Sequence, residues 1–289
     1  MRASLQEKPS RPVLRYHGGK WLLADWIISH FPPHKVYVEP FGGAASVLLR
    51  KPRACAEIYN DLDGQIVTLF RVLRNPAMAA ELSEMALLTP YSRKEFMEAF
   101  RPSAEDVEQA RRVLIQSFMG RGVRHTETGA AKGFRTERVQ TAQHAGAVND
   151  WETVPERIAS TAARLIGVEI ENRPALHVIN ARDSEATLFY VDPPYPHSTR
   201  YLEGKQKPYR FEMSDDEHRE LAATLKAVKG MVALSGYDCE LYSELYGDWY
   251  RVEREALAGG ARPRTEVLWL NASAQEKLES IRTPLFAEG

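Results

Sequence analysis

Apolar residues along the chain gather in short runs, separated by longer stretches in which they recur at helical spacing. The runs are Val36-Tyr37-Val38, Ala56-Glu57-Ile58-Tyr59, Val168-Glu169-Ile170, Leu188-Phe189-Tyr190-Val191 and Met231-Val232-Ala233-Leu234-Ser235. Short runs rich in branched and aromatic residues predict strands, and their near-continuous apolar character suits strands covered on both faces. Leu22, Leu23, Trp26 and Ile27 predict a helix over Trp21 to Phe31, stopped by Pro32-Pro33. Similar spacing predicts helices over Ala44 to Arg50, Ile66–Leu73, Pro155–Leu165 and Asp215–Lys229. Strand alternating with helix is the pattern of a doubly wound α/β sheet. Trp249–Val252 and Glu266–Leu270 predict a closing hairpin, and residues 1–12 a loose tail.

One long interruption breaks this alternation. From Pro76 to Ile115 the pattern is helical and charged, without strands. Residues 120–150 then become rich in Gly, Arg, Lys, His and Thr and lose periodicity, which predicts an exposed loop or hairpin. The sheet begins, stops and resumes, so an insertion is the economical reading. The expected division is a catalytic part in 1–74, an inserted, mostly helical domain in 75–152, and a second catalytic part in 153–289.

Composition narrows the setting. The chain has 289 residues, 44% hydrophobic, with a formal net charge of −1. Affinity for a polyanion must therefore come from a local basic surface. The two cysteines, Cys55 and Cys239, form no C-x-x-C pair, which leaves metal and redox motifs unsupported. No window reaches the roughly eighteen apolar residues of a membrane span. The N-terminal residues carry no apolar export core. A cytoplasmic monomer without a metal or a membrane partner is expected.

Three segments carry chemistry. Val36-Tyr37-Val38 runs into Glu39-Pro40-Phe41-Gly42-Gly43, a strand-to-helix turn whose glycines let a ligand approach the backbone. Paired glycines are common in α/β loops, so alone this turn is equally an ordinary connection. Asp61 stands about 20 residues further on, where such folds hold a ribose by its hydroxyls. Asn60-Asp61 would serve as well as a plain strand-end cap. The third segment, Asp192-Pro193-Pro194-Tyr195, closes an apolar strand. Two prolines cannot extend a central strand, because they have no amide to donate. They hold the chain rigid, so that the Asp192 carboxylate and the Pro193 carbonyl present two acceptors beside the Tyr195 ring. Two acceptors and an aromatic face suit an exocyclic amine on a planar base. They favour the pyramidal amine, which attacks an electrophilic methyl such as that of S-adenosylmethionine, with orientation and electrostatics carrying the catalysis.

Taken together, Tyr16-His17-Gly18-Gly19-Lys20, Glu39-Pro40-Phe41-Gly42-Gly43, Asn60-Asp61 and Asp192-Pro193-Pro194-Tyr195 resemble the Dam-like adenine-specific DNA methyltransferases. Gly259-Gly260-Ala261-Arg262 and Glu266-Val267-Leu268-Trp269 resemble that family's C-terminal end, and the motifs stand in the family's order along nearly the whole chain. The resemblance implies a Rossmann-like methyltransferase sheet with an inserted DNA-recognition domain, S-adenosylmethionine as methyl donor, and double-stranded DNA as substrate. It implies Asp192, Pro193 and Tyr195 as catalytic, and Tyr16, Lys20, Glu39, Phe41, Gly42, Asp61 and Asp192 around the cofactor. Arg121, Arg124, Lys132, Arg135 and Arg138 would read DNA, with Arg200, Lys205, Lys207 and Arg210 as a second basic cluster. Tyr16 replaces a Trp common in the family, and His17 replaces a small residue, with no role beyond a solvent-facing loop. Cytosine 4-amino methylation and a catalytically silent DNA-binding relative are the alternatives. An Asn-Pro-Pro-Tyr enzyme acting on protein or RNA is disfavoured by the Asp at 192. A dinucleotide oxidoreductase is disfavoured by the missing G-x-G-x-x-G.

Overall fold

A computed structural model describes residues 8–121, 133–136, 146–199, 210–258 and 262–282. Among them seven strands form one sheet in the order β3-β2-β1-β4-β5-β7-β6. They are β1 (Val36–Glu39), β2 (Ala56–Asn60), β3 (Val168–Glu171), β4 (Thr187–Val191), β5 (Met231–Tyr237), β6 (Tyr250–Ala258) and β7 (Arg262–Leu270). Strands β1 to β5 are parallel, while β7 lies antiparallel between β5 and β6. From β1 the chain winds outward through β2 to β3 on one side and resumes at β4 on the other. The strand order therefore switches between β1 and β4, where open α/β sheets bind ligands at the carboxyl ends.

The two-residue period of the strands sorts their side chains onto two faces. Tyr37, Tyr59, Leu188, Tyr190, Met231, Ala233, Leu268 and Leu270 point to one. There they meet α2 (Ser46–Arg50), α3 (Gly64–Arg74), α4 (Pro76–Leu88), α5 (Arg93–Glu98), α6 (Asp106–Met119), α8 (Val154–Leu165) and α12 (Ala272–Arg282). Val38, Ile58, Phe189, Val191, Val232, Leu234, Val267 and Trp269 point to the other. These pack against α9 (Ala175–Ala181), α10 (Asp215–Ala227) and α11 (Glu240–Tyr246). The short apolar runs thus belong to strands covered on both sides, as the sequence implies.

Several boundaries differ from the pattern. The first helix spans only Ala24–Ile28 (α1), because residues 21–23 form turns and no side chain caps its start. Helix α10 ends at Ala227; the amides of Lys229 and Gly230 turn instead to the Asp183 carboxylate, which aims the chain into β5. Helices α9, α11 and α12 escape the sequence reading, the first two being only seven residues long. The region read as a loop ends in a helix, α7 (Ala147–Glu152). The closing strands each run to nine residues. No helix among the described residues is long and apolar enough to cross a membrane.

A closed charge network locks the amino ends of the strands. The Arg164 guanidinium forks onto Glu57 at 2.6 and 2.9 Å and also donates to the Leu48 carbonyl. The Lys51 ammonium reaches Glu57 at 2.7 Å and lies 4.3 Å over the Tyr37 ring. Burial pushes the Glu57 carboxyl up, but Arg164 and Lys51 outweigh it and hold the group below its ordinary range. A buried pair of this kind binds β2 to α8 and α2, and losing one partner strands the other charge.

Candidate active site

The turn after β1 is built by contacts with β2. The Gly42 amide donates to the Asn60 carbonyl (2.7 Å), the Gly43 amide to Asp61 Oδ2 (2.8 Å), and the Tyr59 hydroxyl to the Gly43 carbonyl (2.7 Å). Only glycine fits at 42, since a Cβ there would lie 2.1 Å from the Tyr59 ring. Gly43 has φ +48°, a left-handed conformation that side chains resist, and a Cβ on it would press against Tyr16. Glu39 lies buried beneath, accepting from the Tyr37 hydroxyl (2.6 Å) and the Leu48 amide (2.7 Å). Burial raises its carboxyl to about 7 despite those bonds. Burial also raises Asp61 to about 6, although the Asp63 and Gly43 amides bond it.

Asp192 immediately follows β4, on the other side of the switch point from the glycine turn. Its Oδ1 lies 3.1 Å from the Lys20 ammonium, with the two side chains 18% and 5% exposed. Lys20 also donates to the Gly18 carbonyl and sits 4.6 Å over the Tyr195 ring. Burial raises the Asp192 carboxyl, Lys20 pulls it down, and the charge of Glu266 pushes it up again. Pro194 lines a cavity together with Asp192, whereas Pro193 and Tyr195 are buried and are not part of its lining. The Tyr195 ring meets Tyr237 edge-on at 4.7 Å and its hydroxyl donates to Glu266 Oε2 at 3.2 Å.

These pieces enclose one cavity of about 610 Å³, lined by Tyr16, Lys20, Glu39, Phe41, Gly42, Asp61 and Asp192 together. A glycine turn on β1, an acid on β2 and an acid-proline loop on β4 thus converge on one space at the switch point. The profile of the D12 class N6 adenine-specific DNA methyltransferases matches residues 16–258. The chain belongs to that family. Among curated proteins no match reaches significance. The Rossmann-like methyltransferase sheet, and an enzyme that methylates adenine in DNA, follow from membership together with the strand order.

The adenine methyltransferase cavity has walls the sequence did not disclose. Arg173 and Pro174 precede α9, Leu176 lies in its first turn, and Glu217 and Glu220 come from α10. Asn60 clamps this rim: its side-chain amide donates to the carbonyls of Pro40 and Arg173, and its oxygen accepts from the Arg173 amide. Arg210 reaches Asp63 at 3.3 Å, and the segment from Arg210 to Met213 closes one side. His17 is exposed at the rim. Among the described residues no group of three or more His, Cys, Asp or Glu is arranged to hold a metal.

Only part of the predicted DNA-reading stretch falls within the described residues. Arg124, Lys132 and Arg138 lie outside them, as do Arg200, Lys205 and Lys207. Gly120 and Phe134 form an antiparallel bridge, flanked by Arg121 N–H to the Gly133 carbonyl and Arg135 N–H to the Met119 carbonyl. Phe134 anchors this bridge against Tyr91 and Phe96. Arg121 is exposed and donates to Thr136 Oγ1. The Arg135 guanidinium is paired with Asp150 at 2.8 Å, which ties it to α7.

Proposed function

We propose that this adenine methyltransferase takes its methyl group from S-adenosylmethionine and delivers it to the 6-amino nitrogen of an adenine flipped out of double-stranded DNA. The observation that supports this most is the facing of Asp192 and the Gly42-Gly43 turn across one cavity. The residues present suit the cofactor. Gly42 and Gly43 leave a floor that a Cβ would fill, and acidic side chains outnumber basic ones around the cavity, which favours a cationic sulfonium. Asp61 accepts from the amides of Gly43, Leu62 and Asp63 and still has acceptor capacity on the cavity side for a ribose hydroxyl. Tyr16, Lys20, Glu39, Phe41 and Gly42 form the rest of the cofactor wall.

S-adenosylmethionine supplies an electrophilic methyl whose bond to sulfur breaks as the bond to nitrogen forms, the electron pair remaining on sulfur. Asp192 and the Pro193 carbonyl accept the amine hydrogens and orient the lone pair towards the methyl. Burial makes Asp192 a better proton acceptor than an exposed aspartate. It is therefore suited to take the proton that the methylated amine sheds. Tyr195, buried beneath Lys20 and beside Asp192, backs this corner with its aromatic ring. The base must leave the duplex to reach such an enclosed corner.

In this reading residues 75–152 are the target-recognition insertion between the catalytic parts 1–74 and 153–289. Arg121, Arg124, Lys132 and Arg138 bind DNA, and Arg135, neutralised by Asp150, fixes the root of the basic stretch. The enzyme acts as a cytoplasmic monomer. The test is to incubate the protein with methyl-labelled S-adenosylmethionine and duplex DNA, digest to nucleosides and identify the labelled base. N6-methyladenine is expected. Label in cytosine would replace the adenine reading, and no label on any duplex would leave a silent DNA-binding relative.

A further inference from the structure

A second carboxylate sits behind the catalytic corner. Glu266 lies on β7, opposite Tyr237 of β5, in a strand that is otherwise apolar from Val267 to Leu270. It is 6% exposed. A buried carboxylate in a central strand costs free energy unless something it bonds requires it there. Glu266 Oε2 accepts the Tyr195 hydroxyl at 3.2 Å. The Tyr195 ring in turn carries the Lys20 ammonium, and Lys20 contacts Asp192. The chain of contact runs from β7 to Tyr195, and from Tyr195 to Asp192 both through the Lys20 ammonium and through the Tyr195 hydroxyl, which also bonds the Asp192 carboxylate.

We infer that Glu266 is a positioning residue for methyl transfer: by holding the Tyr195 hydroxyl it fixes the ring and the Lys20 ammonium that orient Asp192. This inference rests on the proposed role of Asp192. Glu266 itself need touch neither cofactor nor base. Its removal should therefore slow the chemical step and leave cofactor binding nearly intact, because a group that only aims the acceptor acts on orientation. The side chain must supply an acceptor oxygen, which glutamine retains and leucine does not.

The experiment compares Glu266→Leu, Glu266→Gln, Tyr195→Phe and the double variant Glu266→Leu/Tyr195→Phe in single-turnover methylation at saturating S-adenosylmethionine and duplex DNA. The expected result is a rate loss of about ten- to a hundred-fold in Glu266→Leu, the size of one hydrogen bond to a charged group. Glu266→Gln should recover most of the rate. Tyr195→Phe should lose at least as much as Glu266→Leu, because its hydroxyl also bonds Asp192, and the double variant should be no slower than Tyr195→Phe alone, since the Glu266 contact is already gone there. Binding of S-adenosylmethionine should change by less than about three-fold across the series, as expected for loss of an interaction made only in the transition state. Wild-type rates in Glu266→Leu, additive losses in the double variant, or a loss carried wholly by cofactor binding would overturn the inference. If Glu266→Leu fails to fold, the Tyr195→Phe loss and the near-wild-type rate of Glu266→Gln still decide. An Asp192→Ala control that keeps full activity would instead remove the proposed mechanism, so the two failures are distinguishable.

Discussion

The two ends of the parallel sheet hold the same three ingredients to opposite ends. At the amino ends Lys51 lies over the Tyr37 ring and pairs with the Glu57 carboxylate. At the carboxyl ends Lys20 lies over the Tyr195 ring and pairs with the Asp192 carboxylate. The difference is a second cation. Arg164 forks onto Glu57, and the carboxyl falls below its ordinary range. Asp192 has Lys20 as its ion-pair partner among the described residues, lies at a cavity, feels the charge of Glu266, and has its carboxyl raised. A carboxylate with its acceptor sites claimed by two cations is a rivet. One held by a single ammonium beside open space keeps acceptor capacity for a ligand.

That contrast breaks most visibly at Arg164. Arg164→Ala should cost about 3–5 kcal/mol of stability, read by denaturant unfolding, because Glu57 is left buried with a weakened partner set. The folded fraction should methylate at the wild-type rate; a specific loss of turnover would show that the amino-end network also serves catalysis.

Glu39 sharpens the comparison by pH. Its carboxyl titrates near 7 in the folded protein, above the unfolded value of 4.5. The folded state binds the extra proton, so its penalty is fully present above pH 7 and fades as pH falls towards 4.5. Glu39→Gln keeps an acceptor oxygen for Tyr37 and Leu48 and removes the charge. It should gain up to about 3 kcal/mol over the wild type at pH 8 and nothing at pH 4.5, measured as the difference between two pH–stability curves. A difference that stays flat with pH would mean Glu39 is ordinary.

Smaller effects belong to the turn and the basic stretch. Gly42→Ala forces a methyl into the Tyr59 ring, which is itself stacked on Phe70 at 4.4 Å. Overpacking of this kind costs about 1–3 kcal/mol. S-adenosylmethionine affinity, measured by calorimetry, should fall with it, and unchanged affinity would move the cofactor away from this turn. Arg121→Ala should weaken DNA binding several-fold and lower its salt dependence by about one counterion, with no change in cofactor affinity. An unaltered salt slope would relocate the phosphate contact.

What was legible in the sequence follows the range of the interactions. The parallel strands, the glycine turn and Asp192 announce themselves within a few residues, through short apolar runs and proline chemistry. Asp61 was readable only as one of two alternatives, and the structure shows it bonding the turn as well as facing the cavity. Glu266 was visible as a motif, but its contact with Tyr195 spans 71 positions and no local pattern encodes it. The same holds for the Asn60 clamp on Arg173, 113 positions away. Helix α9 follows Pro174 directly and is too short for its periodicity to stand out. Arg135 looked like its basic neighbours until Asp150, on another element, appeared beside it.

The central claim is that the carboxyl-end carboxylate, not the amino-end one, holds the amine that is methylated. The direct measurement is N6-methyladenine formed in duplex DNA by Asp192→Ala beside the wild type, with unfolding and DNA binding followed in the same preparations. The Asp192→Ala rate should be lower by about a thousand-fold or more, with folding and DNA binding retained. Turnover within a few-fold of the wild type would contradict it.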